Sequence, residues 1–255
     1  MKGAEPIFID KKSPVGVLML HGFTSTPHQF KDLAGFLSSK GFSVYASLIA
    51  GHGTSPEDLM KSTPFDWTNS VMAAYLKLKQ ISPKIVVLGT SFGGNLAFWL
   101  ARQVDNNLTG IISFGTPVFL RFQRFIMFRY WTYGRFKKYY RKPPWAYKMD
   151  PIDMVDEVTY SAIPIKSLKY FLDFLKNDTM PHLDKVTVPA LVVQANADPI
   201  VHPRSADYIY RHIGSGKKEI YWFNCRHHAS ISDNLKNGLF AKANQFIREI
   251  ISLPH

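Results

Sequence analysis

The chain has 255 residues, of which 46% are hydrophobic, with a single cysteine and a formal charge of +12. One cysteine excludes an intramolecular disulfide framework and any multi-cysteine metal site. No apolar run reaches the length of about 18 residues that marks a transmembrane helix, and Glu5 and Asp10 interrupt an N-terminus whose apolar run 15–20 is too short for a signal-peptide core.

In chain order, short apolar or β-branched runs at 15–20, 43–46, 85–88, 110–114, 190–194 and 219–223 read as strands buried on both faces. Helical patterns fall between them. Residues 28–39 carry Phe30, Leu33, Ala34 and Leu37 at helix spacing, with Gly41 as a stop. Thr63, Pro64 and Asp66 read as an N-cap, a proline at the first helical position and an acid at the third. Residues 93–103 are apolar and follow a strand directly, Pro164 opens a run with Leu168, Phe171, Leu172 and Leu175 on one face, and 232–251 closes the chain. The alternation predicts an α/β fold with a mostly parallel central sheet and helices on both faces.

Residues 117–163 break the pattern, with no strand–helix unit visible. Between 118 and 148 lie nine basic residues (Arg121, Arg124, Arg129, Arg135, Lys137, Lys138, Arg141, Lys142, Lys148) and no acidic one, interleaved with Phe, Tyr and Trp. The segment is too apolar to be disordered. It reads as a cap inserted into a core made of 1–116 and 164–255. Its charge suits phosphate-bearing surfaces and suggests weak peripheral contact with anionic membrane. No nucleic-acid-binding motif is recognisable, and no nucleic-acid partner is expected.

The strand 85–88 runs into Gly89-Thr90-Ser91-Phe92-Gly93-Gly94 and then a helix. G-x-S-x-G in a strand–turn–helix context is a nucleophile elbow: the turn lifts the serine hydroxyl above the sheet edge, and glycines let strand and helix approach. Attack by Ser91 on a carbonyl would build an oxyanion. Two backbone N–H donors, each worth about 3–4 kcal/mol in comparable sites, are needed for it. Phe92 supplies one, and the loop His21-Gly22-Phe23 after the first central strand offers the N–H of Phe23 as the other. A serine needs a base and the base an orienting acid, in the chain order Ser, Asp, His. Asp198 follows the strand 190–194, whereas Asp184 precedes it, at the wrong end. After 219–223 come the adjacent histidines His227 and His228, and spacing from the strand does not choose between them.

These motifs, with Gly51-His52-Gly53-Thr54, Asp66-Trp67, Val192-Val193-Gln194-Ala195 and the stretch from Trp222 to Asp233, resemble the small bacterial carboxylesterases and monoacylglycerol lipases of the α/β-hydrolase superfamily. The likeness spans nearly all of the chain except the cap. In that group the closing motif is Gly-His with an acid five residues on. His228 precedes Asp233 by that spacing and His227 takes the glycine position, so the resemblance implies His228 as the base. It also implies hydrolysis of a small-molecule carboxylic ester with no metal and no organic cofactor, and a cap over the acyl pocket. His21, His52 and His202 are expected to be polar loop residues, and Cys225 a buried small hydrophobe. Thioesterase or acyltransferase chemistry uses the same triad and stays open, as does a non-catalytic lipid-surface role. A cytoplasmic location is the default expectation. Oligomeric state is not legible.

Overall fold

The computed structural model describes residues 1–104, 107–124, 132, 136–142, 158–224 and 233–252, with side chains in the last segment from 238 onward. Among these, the main sheet has seven strands: β1 (Ile7–Ile9), β2 (Val15–Leu20), β3 (Ser43–Ser47), β4 (Lys84–Thr90), β5 (Gly110–Phe114), β8 (Ala190–Ala195) and β9 (Lys218–Phe223). Their order across the sheet is β1-β3-β2-β4-β5-β8-β9. Only β1 is antiparallel, pairing with β3 through Phe8 opposite Tyr45. The helices are α1 (Lys31–Ser39), α2 (Pro56–Lys61), α3 (Pro64–Lys79), α4 (Phe92–Gln103), α5 (Ile165–Phe174), α6 (Arg204–His212) and α7 (Asp233–Ile251). None among the described residues is long and apolar enough to cross a membrane.

The period of two along each strand divides the core into two layers. Leu18, Leu20, Ile85, Val87, Ile111 and Val192 face α3, α4 and α5, where Trp67, Leu78, Leu96 and Phe171 meet them. Val17, Met19, Val44, Val86, Leu88 and Val193 face α1 and α7, against Leu33, Leu37, Phe246 and Ile247. Each such side chain contributes about 1.5–3 kcal/mol on burial, and covering both faces explains why these strands read as continuous apolar runs. Thr63 caps α3 as expected, accepting from Asp66 N–H at 3.4 Å while Asp66 accepts from Thr63 N–H at 2.9 Å.

Three features were not visible in the sequence. β1 is a three-residue edge strand. Within 117–163, where no strand was expected, β6 (Tyr139–Arg141) pairs antiparallel with β7 (Ala162–Pro164), which runs directly into α5. The helical pattern at 28–39 splits into a 3₁₀ turn, Pro27–Phe30, and α1. The chain also reverses its direction of travel across the sheet at β2, with β3 on one side and β4 on the other. The carboxyl ends of β2 and β4 are therefore the crevice where open α/β sheets bind ligands.

Candidate active site

β4 ends at Thr90 and α4 begins at Phe92, so Ser91 alone makes the turn. Its backbone lies at φ 51°, ψ −123°, a region that residues with a side chain seldom occupy. The turn is imposed by its surroundings. The Ser91 N–H donates to the Phe114 carbonyl at 2.7 Å, and the Gly94 N–H donates to the Ser91 carbonyl at 2.9 Å. A Cβ on Gly93 would lie 1.9 Å from the Leu20 carbonyl oxygen, and one on Gly89 would lie 2.3 Å from the carbonyl oxygen of Gly93. Only glycine at both places lets α4 start so close to β2 and β4, and the positive end of that helix then faces the turn.

β2 and β4 are neighbours, with Leu20 opposite Gly89, so the loops that follow them emerge side by side. A Cβ on Gly22 would sit 3.2 Å from Ser91 Cβ and 3.8 Å from its Oγ. The Gly22 carbonyl and the Phe23 N–H belong to one planar peptide and point in opposite directions. That carbonyl accepts from His21 Nδ1 at 3.0 Å and from Ser25 N–H at 3.1 Å, which fixes the direction of the Phe23 N–H as well.

His21 is fully buried, and its Nε2 accepts from Ile49 N–H at 3.1 Å. A ring that donates at one nitrogen and accepts at the other is neutral. Burial first, then the charge of His52, whose ring lies 5.0 Å away, keeps the His21 pKa well below the ordinary histidine value, against the opposing pull of the Gly22 carbonyl. Burial likewise lowers His52 to about 4, although its Nδ1 donates to the Ala50 carbonyl at 3.0 Å. Both histidines were expected to be polar loop residues. They lie in loops, but buried, and His21 supports the peptide that bears the Phe23 N–H.

The rings of Phe23 and Phe92 meet edge to face at 5.9 Å, and Phe23 stacks on Phe171 of α5 at 5.0 Å. Trp67 and Phe174 close the same cluster around Phe92. The two residues expected to supply the N–H donors are thus locked to each other through their side chains, a contact between positions 69 residues apart that no local pattern announces.

Asp198 follows β8 and is fully buried. Its Oδ1 accepts from Ile200 N–H at 2.8 Å and Val201 N–H at 2.9 Å, and its Oδ2 accepts from Gln194 Nε2 at 3.4 Å. Arg121 Nε donates to the Asp198 carbonyl at 2.5 Å, and Arg121 N–H to the Ile200 carbonyl at 2.8 Å. Leu120 bridges Val201, and the Ser205 hydroxyl bonds to the Phe119 backbone. The start of the basic segment is thereby fastened to the acid's loop. β9 leaves the sheet at Phe223, beside Ala195 of β8, and the Phe223 carbonyl accepts from Asn196 N–H at 3.0 Å. His227, His228 and Cys225 lie outside the described residues. His202, at the far side of the acid's loop, accepts from Arg204 N–H through Nδ1 at 3.2 Å. Asp184 lies in the 3₁₀ turn Met180–Lys185 ahead of β8. Among the described residues no group of three or more His, Cys, Asp or Glu side chains could hold a metal ion.

A serine turned out of a strand–helix elbow beside the glycine loop of the adjacent strand, with a buried aspartate after β8 two strands further along the same sheet, is the arrangement of the α/β-hydrolase class. More narrowly, the chain belongs to the family described as serine aminopeptidase, S33, whose pattern matches residues 12–234. It is 34% identical to a thermostable monoacylglycerol lipase of Bacillus sp. (strain H-257), over 91% of this chain and 90% of the relative. It is 26% identical to a carboxylesterase of Bacillus subtilis, over 95% of this chain and 96% of that protein. A solved structure from a study of LipS and LipT, two metagenome-derived lipolytic enzymes, superposes with a TM-score of 0.88 at 28% identity, covering 98% of this chain and 99% of its own. The protein is a carboxylesterase- and lipase-like hydrolase.

Proposed function

We propose that the protein hydrolyses short-to-medium acyl esters, monoacylglycerols among them, through an acyl-enzyme on Ser91. The observation that carries this reading is Ser91 itself, held at φ 51° with Gly22 against it. Ser91 Oγ attacks the ester carbonyl while His228 takes its proton. The N–H groups of Phe23 and Phe92 stabilise the oxyanion. Collapse expels the alcohol, which receives the proton from His228. Water, deprotonated by the same imidazole, then attacks the acyl-enzyme and releases the acid. Asp198 holds the tautomer and orientation of the base. Its Oδ1 is already engaged by two N–H donors, which fixes the orientation of the carboxyl group.

A compact chain with one modest cap over 117–163 favours one acyl chain over three. The test is an activity profile on p-nitrophenyl esters from about C2 to C16 with monoacylglycerols alongside, for wild type and Ser91→Ala. Loss of up to about six orders of magnitude in turnover is expected for the variant. Retention of more than a few percent of activity would sink the serine assignment, and efficient hydrolysis of emulsified triolein would sink the size assignment. Acyl-CoA substrates and alcohol acceptors in the same assay distinguish thioesterase and acyltransferase chemistry from hydrolysis of oxygen esters.

The same reading places the protein in the cytoplasm, in weak contact with anionic membrane. Phe122 is 69% exposed and Phe136 87% exposed. Arg124, Lys137, Lys138 and Arg141 beside them in sequence are exposed as well. Surface cations near an anionic leaflet contribute about 1 kcal/mol each. Sedimentation with phosphatidylserine-containing vesicles at low salt should carry the protein down, and neutral vesicles should not. Equal behaviour with the two vesicle types removes the membrane contact.

A further inference from the structure

The oxyanion loop and the nucleophile elbow are joined by one side chain. Gln29 sits in the 3₁₀ turn Pro27–Phe30, ahead of α1 and half-buried. Its Oε1 accepts from Gly22 N–H at 3.4 Å, and its Nε2 donates to Thr90 Oγ1 at 2.5 Å. Gly22 immediately precedes Phe23, and Thr90 immediately precedes Ser91. Resting on the reading of Ser91 as nucleophile and Phe23 as oxyanion donor, we infer that Gln29 is a positioning residue that sets the distance between the two.

The chemistry of the side chain fits this task. A carboxamide offers an acceptor and a donor on one rigid plane. It can therefore hold an N–H from one loop and a hydroxyl oxygen from the other at the same time. Gly22 has its carbonyl held by His21 and Ser25 on one side and its N–H held by Gln29 on the other. Of these holds, Gln29 is the one whose other end reaches the elbow. The 61-residue separation between Gln29 and Thr90 makes it a tertiary tie, not a feature of a local turn. Thr90 is 3% exposed, so loss of its bond would not be made good by bulk water. A transition state whose oxyanion must meet two N–H donors while Ser91 bonds to carbon is sensitive to this spacing. A shift of about 1 Å can cost on the order of a hundredfold in rate. A ground-state ester, bound mostly through its acyl chain, is far less sensitive.

The test is a double-mutant cycle on the whole chain: Gln29→Met, which keeps length without hydrogen bonding, Thr90→Val, which keeps shape without the oxygen, and the pair. Kinetics on p-nitrophenyl butyrate and the thermal midpoint are measured for each. Each single variant should lose about tenfold to a hundredfold in kcat with KM within about twofold. The double variant should lose no more than the larger single loss, because one tie is cut in all three. Thr90→Ser, which restores the oxygen, should recover most of the lost turnover. Multiplying losses, a loss confined to KM, or full kcat in both single variants overturns the inference. An inactive wild type would instead overturn the esterase reading on which it rests.

Discussion

The Ser91 elbow after β4 and the Asp198 loop after β8, both at ends of strands of one sheet, are held by different physics. On the elbow side the constraint is steric. Gly93 faces the Leu20 carbonyl, and Gly89 faces the backbone at the start of α4. On the acid side the constraint is directional. Asp198 is held through N–H donors from its own loop, while Arg121, Phe119 and Ser205 join that loop to the segment entering 117–163. Steric fit between backbones is close to all-or-none, because neither partner can swing aside. A set of hydrogen bonds gives way one member at a time, so damage on that side should be graded.

The sharpest way to break the contrast is Gly93→Ala. The new methyl would meet backbone at 1.9 Å and could be relieved only by moving α4. Destabilisation at or beyond the upper end of the ~1–3 kcal/mol typical of overpacking is expected, with turnover lost in whatever protein folds. A soluble Gly93→Ala variant with near-normal thermal midpoint and activity would show that the elbow is not sterically closed. Arg121→Met should do less. It removes the bond to the Asp198 carbonyl but leaves the N–H groups of Ile200 and Val201 on the carboxylate. A fall in kcat of about tenfold, equivalent to ~1.4 kcal/mol, is expected with the fold intact. A loss as large as that of Gly93→Ala would mean that the acid side, too, behaves as one indivisible unit.

The two sides also differed in how far the sequence disclosed them. The elbow was legible because its determinants are contiguous: an apolar strand, glycines on both sides of Ser91, and an apolar helix within one short stretch. The N-cap at Thr63 was legible for the same reason. Gln29 and His21 were not, because their partners depend on the order of strands. His21 meets Ile49 N–H only because β3 lies beside β2, and Gln29 meets Thr90 only because β4 lies on the other side. Nothing in the residues around Arg121 points to Asp198, 77 positions away. The short strands β1, β6 and β7 lack the length over which a period of two can be recognised. α6 is hard to read from sequence because RSADYIYRH is mostly polar and buries Ser205, Ala206 and Ile209.

The φ of Ser91 has a consequence for how such a chain can change over generations. A residue with a side chain in that region carries roughly 1–3 kcal/mol of strain that glycine would not. With Ser91 as the nucleophile proposed above, drift toward a more durable protein and selection for a working one favour different amino acids at this position. Mutations elsewhere that add stability leave this conflict untouched, and the reserve they create is what allows a lineage to keep a strained hydroxyl in place.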